Sequence, residues 1–270
     1  MPTIRLAAAA LGLTALAVGA AVAAEPSATI AVEGTAFVVR LPEGGSLAQE
    51  DLVGAELDVA DEAGRPLTVR IDGFALDPKD PAGEVVLYRM TTPDGRGGWQ
   101  ELCSPDPAGE RWAFPLAGGW TTDGRHLPSP GGGLTVACSS GGIGKCVRFG
   151  YKPWQSLPDG TSLWDHHQAC VRMLRADYCG DGEPNTRDGT PIDMYDPAGI
   201  QKDEPGPGMS FEAGWDKDGA VCVARPRVPE HVTLDQLERR CPARLAGRTG
   251  IASCTDEKAL ATGALLLNKS

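Results

Sequence analysis

EVVLYRM at residues 84–90 sets the fold class of the first half of the chain. In an extended segment Val85, Leu87 and Arg89 fall on one face, and Val86, Tyr88 and Met90 on the other. Upstream, PLTVRI at 66–71 places Leu67, Val69 and Ile71 opposite Thr68 and Arg70. AFVVR at 36–40, GAELDVA at 54–60, WQELC at 99–103, RWAFPL at 111–116, LTVAC at 134–138 and KCVRF at 145–149 extend the series in both directions. Turn residues fill the intervals: Glu62-Ala63-Gly64, Pro93-Asp94-Gly95, Asp106-Pro107-Ala108-Gly109, Asp123-Gly124 and Gly131-Gly132-Gly133. Short strands at this spacing predict a small antiparallel sandwich or barrel. The helical patterns needed between parallel strands are absent, which excludes a Rossmann-type unit.

Past residue 160 the pattern changes, giving an α+β chain with a β-rich part over 25–157 and a part with two or three short helices and long turns over 158–270. Ser162 can cap a helix through LWDHHQACVRML, with Leu163, His167, Cys170 and Leu174 near one side. GAVCVAR at 219–225 reads as a strand. Thr233 and Gln236 form a capping box ahead of LDQLERRC. A last helix is predicted from Thr255 or Asp256, carrying Leu260, Ala264, Leu265 and Leu267 inward, with Gly263 as its weak point.

The 270 residues hold 25 Lys plus Arg against 36 Asp plus Glu, a net charge of -11. That balance argues against a nucleic-acid binder, since phosphate contacts need clustered cations. Arg5 precedes the apolar run LAAAALGLTALAVGAAV at 6–22, and Val22 and Ala24 are the small residues a signal peptidase requires. These features predict a cleaved export signal over 1–24, a secreted or periplasmic location and no later transmembrane segment. Cys103, Cys138, Cys146, Cys170, Cys179, Cys222, Cys241 and Cys254 all follow that segment, are even in number and contain no CxxC pair. Structural disulfides fit an oxidising compartment better than zinc ligation. Connectivity stays open, with Cys138 and Cys146 the favoured local pair across Ser139-Ser140-Gly141-Gly142.

Ala176-Asp177-Tyr178-Cys179 opens ADYCGDG, followed by NTRDGTPIDMYD at 185–196. Together with WQELC at 99–103, KCVRFGYKPW at 145–154 and FEAGWDKDGAVCVARPR at 211–227, these motifs make the chain resemble the ADYC-domain family of exported bacterial proteins. The resemblance implies a compact extracytoplasmic module with paired cysteines, and it carries no catalytic residues with it.

Residues 181–218 hold ten carboxylates against Arg187, Lys202 and Lys217. Asp181, Glu183 and Asn185 have the alternate oxygen spacing of a calcium loop, and Asp188, Asp193 and Asp196 could complete a cage. An EF-hand is not formed, because Thr186 replaces the turn glycine and Ile192 the bidentate glutamate. The plainer expectation is a solvated, turn-rich loop. Arg172, Arg175, Arg225 and Arg227 read as its surface counter-charges. His166 and His167 point about 100° apart on a helix, so with Cys170 they make a poor zinc set. His126 and His231 have no nearby serine elbow. Gly141-Gly142-Ile143-Gly144-Lys145 lacks the spacing and hydroxyl of a phosphate loop and reads as a hairpin turn. Tyr151 and Trp154, in YKPW, are expected to pack between the two parts; with Trp164 they are also the candidate ligand-contacting aromatics.

These features favour a noncatalytic extracytoplasmic binding or structural module with a protein or glycan partner at the cell surface, and no cofactor. The alternatives are a secreted hydrolase of cell-envelope or external polymers, whose acid–base carboxylates sequence spacing does not identify, and a calcium-stabilised structural protein.

Overall fold

A computed structural model describes residues 5–6, 28–61, 64–121, 124–128 and 133–270. Apart from Arg5–Leu6, the predicted export signal lies outside the described residues, as do Glu62, Ala63, Asp123, Gly131 and Gly132 of the predicted turns. The chain forms two compact units, Met1–Ala117 with Pro130–Ser140, and Gly118–Ser129 with Gly141–Ser270.

The first unit contains β1 (Arg5–Leu6), β2 (Thr29–Glu33), β3 (Ala36–Arg40), β4 (Ser46–Ala48), β5 (Glu56–Ala60), β6 (Pro66–Leu76), β7 (Val86–Pro93), β8 (Trp99–Glu101) and β9 (Trp112–Ala117). The hairpin β10 (Gly119–Trp120) and β11 (His126–Leu127) belongs to the second unit, and β12 (Leu134–Cys138) returns to the first. Strands β2-β3-β4 form one antiparallel sheet, and the larger sheet runs β1-β5-β6-β7-β9-β12 with β8 also on β7. Its pairs are antiparallel except β1 with β5. The predicted alternation in β6 holds: Val69 and Ile71 are buried together with Tyr88 and Met90 of β7. Phe37 and Val39 from the small sheet enter the same apolar cluster. The Phe37 amide donates to the Tyr88 hydroxyl, and the Val86 amide to Thr35 Oγ1. Among the described residues the large sheet is an open path ending on β12, which pairs with β9 alone, so the barrel alternative is corrected.

The second unit contains α1 (Gly142–Arg148), α2 (Leu163–Arg175), β13 (Asp193–Tyr195), β14 (Phe211–Asp216), β15 (Gly219–Val223), α3 (Leu234–Arg240), α4 (Pro242–Leu245), α5 (Asp256–Ala261) and β16 (Leu266–Lys269). Its sheet runs β13-β16-β14-β15, wholly antiparallel, with α2 against β14. Ser162 Oγ caps α2 by accepting from the Trp164 amide, and the Thr233–Gln236 capping box opens α3 as the sequence predicts. Two elements differ from expectation. KCVRF is not a strand: Lys145 to Arg148 complete α1, whose Cys146 and Val147 are buried. Packing against α2 overrides the weak helical propensity of Gly142 and Gly144. The last helix ends at Ala261, because Gly263 at φ 95° turns the chain into β16. Ala264 and Leu267 are buried as expected, whereas Leu260 is 42% exposed.

All eight cysteines are paired: Cys103–Cys138, Cys146–Cys170, Cys179–Cys241 and Cys222–Cys254. The expected Cys138–Cys146 pair is therefore overturned. Cys138 ends a strand, while the chain beyond it coils into α1 and turns Cys146 toward α2. Bridges spanning 24 to 62 residues each restrict the unfolded chain by about 3–4 kcal/mol in the chain-entropy account.

Candidate functional site

The ADYC motif stops α2 and builds the centre of the second unit. Ala176 takes the left-handed conformation, φ 48° and ψ 43°, and its amide donates back to the carbonyls of Arg172 and Met173. Asp177 is buried and receives the Arg172 guanidinium and, at 3.0 Å, the Gly182 amide. Burial pushes its carboxyl up, against the downward pull of those two donors. The Tyr178 ring stacks on Trp215 at 5.3 Å, and Cys179 bonds to Cys241.

Tyr178 also leads into a buried polar network around Glu212. Its hydroxyl donates to Glu212 Oε1 at 3.0 Å and accepts the Arg227 amide at 2.8 Å. The Arg227 Nε and Nη2 reach the two Glu212 oxygens at 3.0 and 3.1 Å. Asn268 Nδ2 donates to Glu212 Oε2, and Asn268 Oδ1 accepts from Trp215 Nε1. The remaining Arg227 donors go to Thr186 Oγ1 and to the Met173 and Leu174 carbonyls at the end of α2. The Met173 carbonyl also accepts from the Ala176 amide, and the guanidinium adds its donors at this helix C-terminus, where its charge complements the dipole. Arg172 and Arg227 are thus buried, which corrects their reading as surface counter-charges. Arg175 and Arg225 instead bind main-chain oxygens, at Gly182 and at Ser210 and Phe211.

The candidate aromatics separate. Tyr151 is fully buried, and its hydroxyl donates to Asp196 Oδ2 at 2.8 Å while its ring stacks on His166 at 6.5 Å. Trp154 sits half-buried in the turn closed by Gln155 N to Lys152 O. Trp164 joins residues that sequence reasoning did not group: it stacks on His126 at 3.7 Å and lies 5.9 Å from Trp120 and 6.1 Å from His167. Gln168 holds the β10–β11 hairpin to α2, accepting from the His126 amide and donating to the Gly124 carbonyl. The Asp123-Gly124 turn signal together with Trp120 and His126 was the available clue to this hairpin.

His167 lies at the base of that patch. Its Nε2 meets the Ile143 carbonyl at 3.1 Å, so the neutral ring carries its proton there. Burial holds its pKa down at about 4, and His126 is the titratable group facing it. The unfolded ring titrates near 6.5, so the unfolded state binds more protons between these values. The contribution of neutral His167 is full above pH 6.5 and is lost as pH falls through 4. Guanidinium unfolding at pH 7 and pH 4 should show that His167→Gln removes about 3 kcal/mol of the acid-induced loss. An equal loss in both proteins would contradict this.

Several oxygens of the acidic loop are taken by donors both inside and outside it. Asp181 pairs with Arg240, and Asp196 accepts from Tyr151, Ile200 N and Gln201 N. Asn185 donates from its amide nitrogen to the carbonyls of Ala176 and Glu183. Glu183 and Asp188 are exposed, and Asp193 stands on β13 beside the Glu204 amide. Among the described residues no group of three or more His, Cys, Asp or Glu side chains is placed to hold a metal ion. His167 and Cys170 do not form one, since Cys170 is bonded to Cys146.

Fold and site together define a disulfide-held α+β domain whose principal motif is buried structure. The ADYC domain profile matches residues 49–229, and the chain belongs to that family. No curated protein and no solved structure matches it. Among the described residues, no helix is long and apolar enough to cross a membrane.

Proposed function

We propose that this protein is a noncatalytic extracytoplasmic module that binds a protein or glycan at the cell surface. The observation that carries the reading is how its reactive groups are used. All eight thiols are in disulfides, and Asp177, Tyr178, Glu212 and Arg227 are bonded to one another or to main chain inside the second unit. A nucleophile or general base must reach a substrate, and these side chains do not. The half-buried Trp120, His126 and Trp164 supply the flat faces on which sugars and partner side chains stack.

Two measurements test the reading. Thiol titration of the folded protein without reductant should find no reactive cysteine, and several reactive thiols would refute the disulfide-held module. A glycan and surface-protein binding screen should then give a ligand whose affinity falls at least about tenfold in Trp164→Ala. Turnover of a glycan, peptide or ester substrate by the verified oxidised protein would overturn it.

A further inference from the structure

A shallow cleft of about 380 Å³ lies on the second unit, lined by His231, Val232, Gln236, Arg239 and Arg240. The cleft is separate from the Trp164 patch in residues and chemistry, and its reading does not depend on that patch binding anything. The hydrogen-bonding roles of its polar walls can be assigned one by one. Arg187 Nε donates to His231 Nε2 at 3.3 Å, which places the ring proton of His231 on Nδ1 as a donor. Gln236 Oε1 accepts from Thr233 N and Thr233 Oγ1 in the capping box, so its acceptor is occupied while its NH₂ has no bond among the described residues. Arg240 is committed to Asp181, with Nε at 2.8 Å from Oδ2 and Nη2 on Oδ1. Arg187 is paired with Glu230 at 3.6 Å. Arg239 is exposed and makes no ion pair or hydrogen bond among the described residues. Val232, 5% exposed, is the apolar residue of the lining.

The uncommitted groups are therefore donors, and they include one uncompensated guanidinium. The net charge of -11 disfavours anions over the chain as a whole, and this guanidinium, with no ion pair among the described residues, is a local positive exception. One free planar fork matches one carboxylate bidentately, whereas a phosphate dianion would call for a second free cation that Asp181 and Glu230 have already neutralised. The remaining donors, His231 Nδ1–H and the Gln236 NH₂, suit hydroxyl oxygens, and Val232 suits a C–H face. The volume is within the range of small-molecule sites. We infer that this cleft binds a monoanionic hydroxylated carboxylate of the sugar-acid class, with Arg239 gripping the carboxylate.

The test is an NMR titration of the full-length oxidised protein with D-glucuronate, D-glucose and inorganic phosphate at equal ionic strength. Glucuronate should shift the resonances of residues 231–240, and glucose, which lacks the carboxylate, should not. Phosphate should bind more weakly than glucuronate. Arg239→Gln should weaken glucuronate about tenfold, and Arg239→Lys should fall between the two because an ammonium has no fork. Arg248→Gln removes the same charge from an exposed position outside the cleft and should leave the affinity within about twofold if charge alone is not responsible. Unchanged melting temperatures will show that the variants are folded. Absence of shifts at 231–240, equal weakening by Arg239→Gln and Arg248→Gln, or tighter binding of phosphate would each overturn the inference.

Discussion

Glu212→Ala should lower the unfolding free energy by about 3–5 kcal/mol, measured by guanidinium denaturation with the disulfides intact. Glu212 and Arg227 side chains are both 0% exposed, so removing the carboxylate leaves a guanidinium in the core without its counter-charge. The loss spreads, because Tyr178 and Asn268 donate to the same carboxylate and have no solvent to turn to. Glu212→Gln keeps the size but not the charge, and its NH₂ would face the Arg227 or Asn268 donors. It should therefore recover little. The near-ultraviolet signal of Trp215 should change in both variants, since Asn268 links the Trp215 indole to the network. Glu33→Ala, which breaks the exposed Arg40–Glu33 pair, should cost only about 0–1 kcal/mol. If Glu212→Ala cost no more than Glu33→Ala, the buried network would not be what holds the second unit together.

That network explains which parts of the fold were legible in the sequence. Alternation identified β6 and β7 because one face of each carries a shared apolar core, and side-chain caps identified α2 and α3 because Ser162 and Thr233 bond main-chain donors close in sequence. The signals for α1 and β16 were missing for physical reasons. α1 contains two glycines and is held by contacts with α2, including Cys146–Cys170, that no local pattern records. β16 is buried from Leu266 to Asn268, so it does not alternate. The charged core was harder still, because composition does not separate a buried arginine from an exposed one. A clue existed in Glu212, the lone polar residue within FEAGW, whereas Asn268 is followed by Lys269 and Ser270 and gave no such signal. The motif itself was visible, but its role needed the left-handed turn at Ala176 and the contacts that follow.

The residue after the motif gives a sharper test of that role. Gly180→Ala should destabilise the protein by about 2–5 kcal/mol, from a left-handed backbone penalty of about 1–2 kcal/mol and an overpacking penalty of similar or larger size. Gly180 has φ 72°, and a Cβ there would lie 1.7 Å from the Asp218 carbonyl oxygen and 2.8 Å from its carbon. Those are main-chain atoms of the turn between β14 and β15, so no side-chain rotation can relieve the contact. The turn must move away from the motif. That movement strains the bond from Ala220 N to Tyr178 O and disturbs the setting of Cys179 against Cys241. Gly189→Ala isolates the backbone part, since Gly189 has φ 81° but a Cβ there meets nothing within 4 Å. It should cost about 1 kcal/mol, and the difference between the two variants measures the close approach alone. Equal destabilisation would mean that the turn yields freely, and that the ADYC segment is not clamped against β14 and β15.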